Sequence, residues 1–223
     1  MFSFALKGDN TGMKLNNLRQ DYQGQLDLSD LHANPFTMFD HWFNDARGAK
    51  LLEPNAMVLA TVDGQGCPAQ RNVLLKHYDN KGFVFFTNLK SSKAQHIQHN
   101  AQVSLLFSWL GLERQLIVTG EAIPLSRLKT LGYFLQRPRN SQLGAWVSHQ
   151  SKVIRSRNVL ENKFKQIKTT FTQGQVPLPH FWGGYCVCPR QFEFWQGAES
   201  RLHDRFQYKM DHQQQWNIRR LAP

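Results

Sequence analysis

The most restrictive feature of this sequence is a series of short strand-like segments joined by tight turns. Segments 57–62, 70–76 and 83–87 are rich in apolar and β-branched residues, and the turn sequences DGQG and DNKG separate them. Such turns connect strands that lie side by side and antiparallel, so this region predicts a meander. Segments 102–109 and 115–123 repeat the pattern on either side of a glycine-containing turn.

Helices are predicted before, between and after these strands. The pair Asn34-Pro35 is typical of a helix start, because asparagine caps free N–H groups and proline fits the first turn. The predicted helices cover 35–51, 92–99 and 151–171, and the last of them is strongly basic.

A fourth helix is predicted after Ser126, which can cap it, and it ends before the Arg137-Pro138 pair. We expect its buried face to consist of Leu128, Leu131 and Leu135. Tyr133 and Arg137 share a different face, with Ser141 just beyond the helix end. These hydroxyl and guanidinium groups could bind one phosphate together, and an ordinary exposed polar face is the alternative.

The whole pattern favours an α+β protein with a closed antiparallel sheet, because strands and helices do not alternate regularly. Later strands are predicted at 185–188, 191–196, 205–210 and 216–219. A length of 223 residues allows one or two domains, but no composition break marks a boundary. We therefore predict one barrel domain over 21–223, preceded by a largely mobile segment over 1–20.

The charge balance indicates an anionic ligand, since 27 Lys and Arg against 16 Asp and Glu leave a net charge of +11. No apolar run reaches the ~18–20 residues that span a bilayer, and the N-terminal residues lack a signal peptide, so we expect a cytoplasmic protein without a membrane partner. The three cysteines are an odd number without zinc-site spacing, which argues against a disulfide framework and a metal site.

Two basic segments are candidates for anion binding. In RNVLLK at 71–76, Arg71 and Lys76 fall on opposite strand faces, so one site uses both only where the strand twists, bulges or ends. In RLHDR at 201–205, the three basic side chains share one face of an extended chain. Solvated strand edges are the alternative for both. No glycine-rich phosphate loop occurs, so phosphate recognition must come from side chains.

Longer motifs in this chain closely resemble the pyridoxamine (pyridoxine) 5'-phosphate oxidase family. The motifs are RxVLLK at 71–76, ERQ at 113–115, RPRxSQxGAW at 137–146, PxPxFWGG at 177–184, EFWQG through RLHDR at 193–205, and WxIxRLAP at 216–223. They occur in the family's order, and the resemblance extends from about residue 18 to the last residue.

The resemblance implies an FMN-binding antiparallel split β-barrel with peripheral helices and a homodimer with flavin sites at the interface. It also implies oxidation of pyridoxamine 5'-phosphate and pyridoxine 5'-phosphate to pyridoxal 5'-phosphate, with O2 as electron acceptor and H2O2 as product. The partners would then be phosphorylated B6 vitamers and O2, and the excess positive charge would serve two anionic ligands.

Individual site residues are also implied by the resemblance. The expected flavin contacts are Arg71, Val73, Leu74, Lys76, Phe86, Thr87, Lys93, Gln115, Gln150, Ser151, Trp195 and Arg205. The expected substrate contacts are Lys76, Tyr133, Arg137, Ser141, Arg201 and His203, together with Arg19 and Tyr22 in an N-terminal lid. Among these, Arg201 and His203 are expected to close over the reacting carbon as the catalytic pair.

Two positions depart from the family pattern. Ser92 stands where the family usually has an arginine, and Phe86 stands where it often has a tyrosine. A weaker pocket for the flavin phosphate is therefore expected, unless Lys90 supplies the missing charge. A basic barrel that stacks single-stranded nucleic acid on Trp and Phe is the rival function, and it predicts a colourless protein in place of a yellow one. The resemblance favours the oxidase, without a nucleic-acid partner.

Overall fold

The computed structural model describes residues 21–147 and 150–223. Arg19 and the segment predicted to be mobile over 1–20 lie outside the described residues. The helices are α1 (Pro35–Gly48), α2 (Ser92–His99), α3 (Arg127–Gln136), α4 (Arg139–Val147) and α5 (Arg157–Thr170). The strands are β1 (Ala56–Val62), β2 (Pro68–Leu74), β3 (His77–Asp79), β4 (Gly82–Asn88), β5 (Gln102–Trp109), β6 (Arg114–Pro124), β7 (Trp182–Gln196), β8 (Asp204–Met210) and β9 (Trp216–Leu221).

The strands form a single antiparallel sheet organised around β7. The order is β2-β1-β5-β6-β7-β4-β3, and β8 and β9 continue from β7 as a separate branch. The first half of β7 pairs with β4 and the second half pairs with β8, while β6 pairs with both halves. The predicted α+β class is therefore confirmed, and the sheet is a curled half-barrel that divides in the middle of β7.

The division lies where the pairing of β6 with β7 is irregular and the two backbones are close together. The register shifts between Thr119 and Gly120, and a Cβ atom on Gly120 would lie 2.1 Å from the carbonyl oxygen of Cys188. The alternation of the sequence predicted two strands here, at 185–188 and 191–196. That prediction is wrong, since β7 continues through Pro189 at an irregularity in pairing that tolerates the missing N–H group.

The main core fills the inside of the sheet and is covered by α1. The Asn34 side chain accepts a hydrogen bond from the N–H of Phe36 at 2.9 Å, which confirms the predicted cap. Phe39 is fully buried, and its ring centroid lies 4.9 Å from that of Phe83 and 5.3 Å from that of Phe107. Each such burial stabilises the fold by about 1.5–3 kcal/mol, so α1 is fixed against the sheet.

A smaller core holds α3, α4 and α5 against the start of β7, and it contains Phe134, Leu143, Val176 and Trp182. Ser126 caps α3 as predicted by accepting the N–H of Lys129 at 3.3 Å. The predicted leucine face of this helix is wrong, because Leu128 is 79% exposed and Leu135 is 38% exposed. The face that carries Phe134 is buried instead, since its ring packs edge-on against Trp182 at 5.2 Å.

The predicted meander is wrong after its first hairpin, because β2 pairs with β1, whereas β4 pairs with β7 and with the unpredicted short strand β3 at the other end of the sheet order. Other differences from the sequence prediction concern helices. The basic helix predicted over 151–171 begins later, at Arg157, and α4 was not predicted.

None of the helices in the described part of the chain is long and apolar enough to cross a membrane. All three cysteines are free thiols.

Candidate functional site

A cleft of about 740 Å³ lies between the ends of β2 and β4 and helices α2, α3 and α4. Its volume is within the range of small-molecule sites. The cleft brings together ten of the residues expected to contact FMN or the substrate, namely Val73, Leu74, Lys76, Phe86, Thr87, Lys93, Tyr133, Arg137, Ser141 and Gln150. Lys76 lies beyond the end of β2 at Leu74. Its side chain is therefore no longer held on the strand face opposite to that of Arg71, and it can line the cleft.

One group of polar residues in the cleft surrounds the buried ammonium of Lys93. This residue is 8% exposed, and its Nζ donates to Oε1 of Gln150 at 3.2 Å. Thr87 Oγ1 donates to the same oxygen at 3.3 Å. Burial lowers the pKa of Lys93, and the nearby charge of Arg71 lowers it further.

Arg71 does not line the cleft, but its guanidinium is held beside it by neutral groups. Nη1 donates to the carbonyl oxygen of Leu59 at 3.3 Å and to Oγ1 of Thr61 at 2.6 Å. Burial lowers the pKa of Arg71. Within the described residues, neither Arg71 nor Lys93 forms an ion pair with a carboxylate. Two half-buried or buried cations without acidic partners make a site that a phosphate dianion would stabilise.

The start of α2 lies beside this cationic pair. The backbone N–H of Ser92 donates to Oγ of Ser151 at 3.2 Å. Ser151 has a φ of 69°, a strained conformation for a residue with a side chain. Lys90 does not line the cleft. Its Nζ lies instead over the ring of Phe181, 5.8 Å from the centroid. The proposed compensation for Ser92 by Lys90 stays a prediction.

Another cation that lines the cleft, Arg137, has a buried nitrogen without a partner among the described residues. Its Nη1 is buried and makes no hydrogen bond among the described residues. The guanidinium lies 4.7 Å from the ring centroid of Trp182. Burial lowers the pKa of Arg137, and it raises the pKa of the adjacent Tyr133 phenol. An unsatisfied charged donor costs more than ~1–3 kcal/mol, so an anionic oxygen fits this position.

The cleft also contains a wall of parallel aromatic rings. Tyr133 stacks on Phe86 with a centroid distance of 4.0 Å and an angle of 10°, and Phe86 stacks on Trp182 at 5.2 Å and 4°. A Cβ atom on Gly184 would lie 2.7 Å from the Phe86 ring, so glycine is required at that position. Trp182 was not among the expected contacts, although it belongs to the PxPxFWGG motif at 177–184 that carries the family resemblance.

A second cluster of expected site residues lies outside the cleft of this chain. The ring centroids of Trp195 and His203 are 4.7 Å apart, and Tyr22 lies 5.8 Å from each of them. Gln115 pairs with Trp195 across β6 and β7. The N–H of Ala198 donates to Nδ1 of His203 at 3.1 Å, so the neutral ring carries its proton on Nε2.

The expectation that the basic residues of 201–205 share one extended face is wrong. Ser200 and Arg201 have φ values of 55° and 64° in a short turn, and β8 begins only at Asp204. The left-handed pair turns the backbone before the strand begins, and it leaves Arg201 exposed. Arg205 is engaged within the chain: its Nε and Nη2 donate to Oε1 of Glu193 at 2.9 and 2.7 Å, and its Nη1 donates to the carbonyl oxygen of Ala222.

Two family models match this chain. The model described as pyridoxamine 5'-phosphate oxidase covers residues 43–171. The model described as pyridoxine 5'-phosphate oxidase C-terminal dimerisation region covers residues 182–223. The second range includes Trp195, His203 and Arg205, which belong to the cluster outside the cleft.

Several relatives and solved structures are similar over most of the chain. Proteins named pyridoxine/pyridoxamine 5'-phosphate oxidase from Aliarcobacter butzleri and Salmonella typhi are each 54% identical, over 95% and 98% of this chain and 100% of their own lengths. The crystal structure of PhzG from Burkholderia lata 383, in complex with tetrahydrophenazine-1-carboxylic acid, has a TM-score of 0.84 at 26% identity, over 90% of this chain and 99% of that one.

A structure described as a pyridoxamine 5'-phosphate oxidase-related, FMN binding protein from Nostoc punctiforme has a TM-score of 0.69 at 16% identity, over 84% of this chain and 96% of that one. At this identity the likeness concerns the fold alone, which is the divided sheet around β7. Three findings agree with one another: the relatives that are 54% identical over nearly the whole chain, the two family models, and the cleft that the family's motifs line. This chain is a member of the pyridoxamine 5'-phosphate oxidase family.

Proposed function

We propose that this chain catalyses the FMN-dependent oxidation of pyridoxamine 5'-phosphate and pyridoxine 5'-phosphate to pyridoxal 5'-phosphate, with O2 as electron acceptor and H2O2 as product. The observation that carries the proposal is the buried Nη1 of Arg137, which has no hydrogen-bond partner among the described residues and lies in a cleft with parallel aromatic rings. A phosphate on a flat ring satisfies both features. The names of relatives that are 54% identical over nearly the whole chain support the same reaction.

The cationic group around Lys93 fits the phosphate of FMN. Lys93 and Arg71 would supply charge, while Thr87, Gln150 and Ser151 would supply hydrogen bonds. Val73, Leu74 and Phe86 line the same cleft and would contact the ring system. When bound, FMN would supply the two-electron acceptor for the substrate and would pass those electrons to O2.

The group around Arg137 fits the phosphate of the substrate. Arg137 can bind it through two parallel hydrogen bonds, with Lys76, Tyr133 and Ser141 as further donors from the same cleft. These contacts are remote from the bond that reacts, so their binding energy serves to orient the ring. A vitamer without the phosphate would lose this orientation, and its kcat would fall together with its affinity.

The remaining expected contacts support a homodimer with sites at the interface. Tyr22, Gln115, Trp195, His203 and Arg205 lie outside the cleft of their own chain, and three of them belong to the dimerisation region. We propose that this cluster lies against the cleft of the partner chain. The two-fold symmetry of a homodimer would then form two equivalent sites. His203 would then offer its Nε2 proton, and Arg201 its charge, to the substrate.

The proposal includes a cytoplasmic location and no nucleic-acid or membrane partner. Free thiols at Cys67, Cys186 and Cys188 fit a reducing compartment. Many of the aromatic rings that could stack bases are instead buried in the core, including Phe39, Phe83, Phe85, Phe107, Phe192, Phe194 and Phe206. These seven rings are therefore not available for the rival function in nucleic-acid binding.

Oxygen uptake by the purified, FMN-loaded protein tests the proposal. We expect turnover with pyridoxamine 5'-phosphate or pyridoxine 5'-phosphate, and little turnover with pyridoxamine, which has the same ring without the phosphate. The appearance of pyridoxal 5'-phosphate in its absorption band should match the oxygen consumed. A flavin-loaded protein that oxidises neither phosphorylated vitamer would falsify the proposal.

A further inference from the structure

We propose that Thr61 and His96 are positioning residues for Arg71, and that they hold its guanidinium in the orientation that binds the FMN phosphate. The inference rests on the proposed flavin site. Neither residue lines the cleft or belongs to the motifs that carry the family resemblance. Both act through contacts that start at Nη1 of Arg71.

The contacts form a continuous chain from β2 through β1 to α2. Arg71 is paired with Leu59 across the two strands, and its side chain extends to Thr61. Thr61 is 1% exposed, and its Oγ1 lies 3.1 Å from Nδ1 of His96. His96 is one helical turn beyond Lys93 on α2. Helix α2 therefore carries both the buried ammonium of the cleft, on Lys93, and the last residue of this series of contacts, His96.

The chemistry of Arg71 and Thr61 shows which of the two donates the hydrogen bond. A guanidinium can only donate, so Oγ1 of Thr61 accepts from Arg71. The Thr61 hydroxyl keeps one proton and one lone pair for Nδ1 of His96, which accepts from it in the Nε2–H tautomer and donates to it in the Nδ1–H tautomer. Two acceptors, the Leu59 carbonyl and Thr61 Oγ1, engage both hydrogens of Nη1. Among the described residues, Nε and Nη2 make no hydrogen bond, and their three hydrogens remain for a ligand.

Neutral partners suit a cation whose charge is needed elsewhere. A carboxylate would hold Arg71 firmly, but it would also neutralise the charge and compete with the phosphate. A carbonyl and a hydroxyl fix the same planar group without either effect. The charge of Arg71 still lowers the pKa of Lys93, so the two cations are close enough to act on one dianion.

Titration of the apoprotein with FMN, followed by quenching of flavin fluorescence at fixed salt, tests this inference. Thr61→Val keeps the side-chain shape and removes the hydroxyl, so we expect FMN to bind about tenfold more weakly. Thr61→Ser restores the hydroxyl and should bind within about twofold of the wild type. Thr119→Val, the same change at a half-buried threonine of β6, is the matched control and should leave FMN binding unchanged.

Position 96 provides a second, independent pair of variants. His96→Asn places a side-chain amide, which can accept or donate, near the position of Nδ1 and should preserve FMN binding, whereas His96→Leu removes the hydrogen-bond partner of Thr61 and should weaken FMN binding severalfold. Thermal unfolding of each apoprotein shows which variants fold. If Thr61→Val does not fold, the comparison of His96→Asn with His96→Leu decides the question, and equal binding by these two variants would overturn the proposal.

A double-mutant cycle distinguishes positioning from a general structural role. If Thr61 acts through Arg71, Thr61→Val should have no further effect on FMN binding in the Arg71→Ala background. An equal loss in both backgrounds, or no loss in Thr61→Val alone, would overturn the inference. A wild-type apoprotein that binds no FMN would instead overturn the proposed function, so the two failures are distinguishable.

Discussion

At the scale of single residues, Arg137 affects two properties in opposite ways, namely the stability of the empty protein and its affinity for a phosphate. Its guanidinium is half-buried beside Trp182, and the protein leaves its Nη1 unpaired among the described residues. The apoprotein is destabilised by this arrangement, while a bound phosphate would be held strongly. Affinity for the substrate and stability of the empty protein are therefore expected to change in opposite directions at this position.

Replacement by methionine tests this opposition. Arg137→Met keeps the apolar packing and removes the charge, so KM for pyridoxamine 5'-phosphate should rise about ten- to a hundredfold. The unfolding temperature of the apoprotein should rise or stay unchanged, because a desolvated cation is replaced. FMN affinity should not change. Steady-state kinetics and thermal unfolding measure both effects, and a lower unfolding temperature with unaltered KM would contradict this assignment.

Ser92 offers a complementary test, because a charge can be added there. The backbone of Ser92 lies beside Ser151 at the start of α2, and Lys90 is held over the Phe181 ring. We expect Ser92→Arg to tighten FMN binding by about tenfold or more, through one added charge-assisted hydrogen bond. Lys90→Ala should leave the FMN dissociation constant unchanged. Marked flavin loss in Lys90→Ala would instead mean that Lys90 already compensates for Ser92.

The pH dependence of flavin binding follows from Lys93. Its pKa is lowered by burial and by Arg71, so the apoprotein loses this charge at a lower pH than an ordinary lysine. The FMN phosphate stays dianionic above about pH 7 and favours the protonated ammonium. FMN binding should therefore weaken as pH rises through the lowered pKa of Lys93. Fluorescence titrations across this range should show the effect in the wild type, and Lys93→Met should bind weakly without the same pH dependence.

At the scale of elements, local signals predicted much of the fold correctly. The bounds of α2 and β5 agree with their predicted ranges, because turn residues and apolar alternation are encoded within a few positions. The buried face of α3 was mispredicted because the helix has two apolar faces, and periodicity cannot say which one meets Trp182. The roles of Thr61 and His96 depend on contacts between three elements, which no local pattern contains.

The junction of β6 and β7 provides an element-scale prediction. Gly120→Ala would place a Cβ atom 2.1 Å from the Cys188 carbonyl oxygen, so the strands must separate. We expect a loss of about 1–3 kcal/mol in the free energy of unfolding. Gly132→Ala is the matched control, since its Cβ atom meets nothing within 4 Å on α3. That change should stabilise the protein by about 0.5–1 kcal/mol in denaturant titrations. Equal stabilities of the two variants would contradict the close approach.

At the scale of the whole molecule, the proposed active site belongs to two chains. Arg137 lines the cleft, while His203 lies in the cluster assigned to the partner's cleft. Arg137→Ala and His203→Ala homodimers should each be nearly inactive. A mixed dimer would contain one site with both original residues, so co-expression of differently tagged chains should restore about a quarter of wild-type activity in a random mixture. Activity that stays at the level of the separate variants would place both residues in one chain's site.

The central position of β7 also affects how the chain folds as it is made. Its first half pairs with β4, whose residues lie roughly 100 positions earlier in the sequence. During translation, β4 is made roughly 5–20 s before its partner in β7 at ordinary synthesis rates, and β6 is made before β7 by a somewhat shorter interval. Throughout that interval each presents an unpaired edge that invites pairing with other chains. We therefore expect the incomplete chain, before β7 is made, to aggregate more readily than the finished protein.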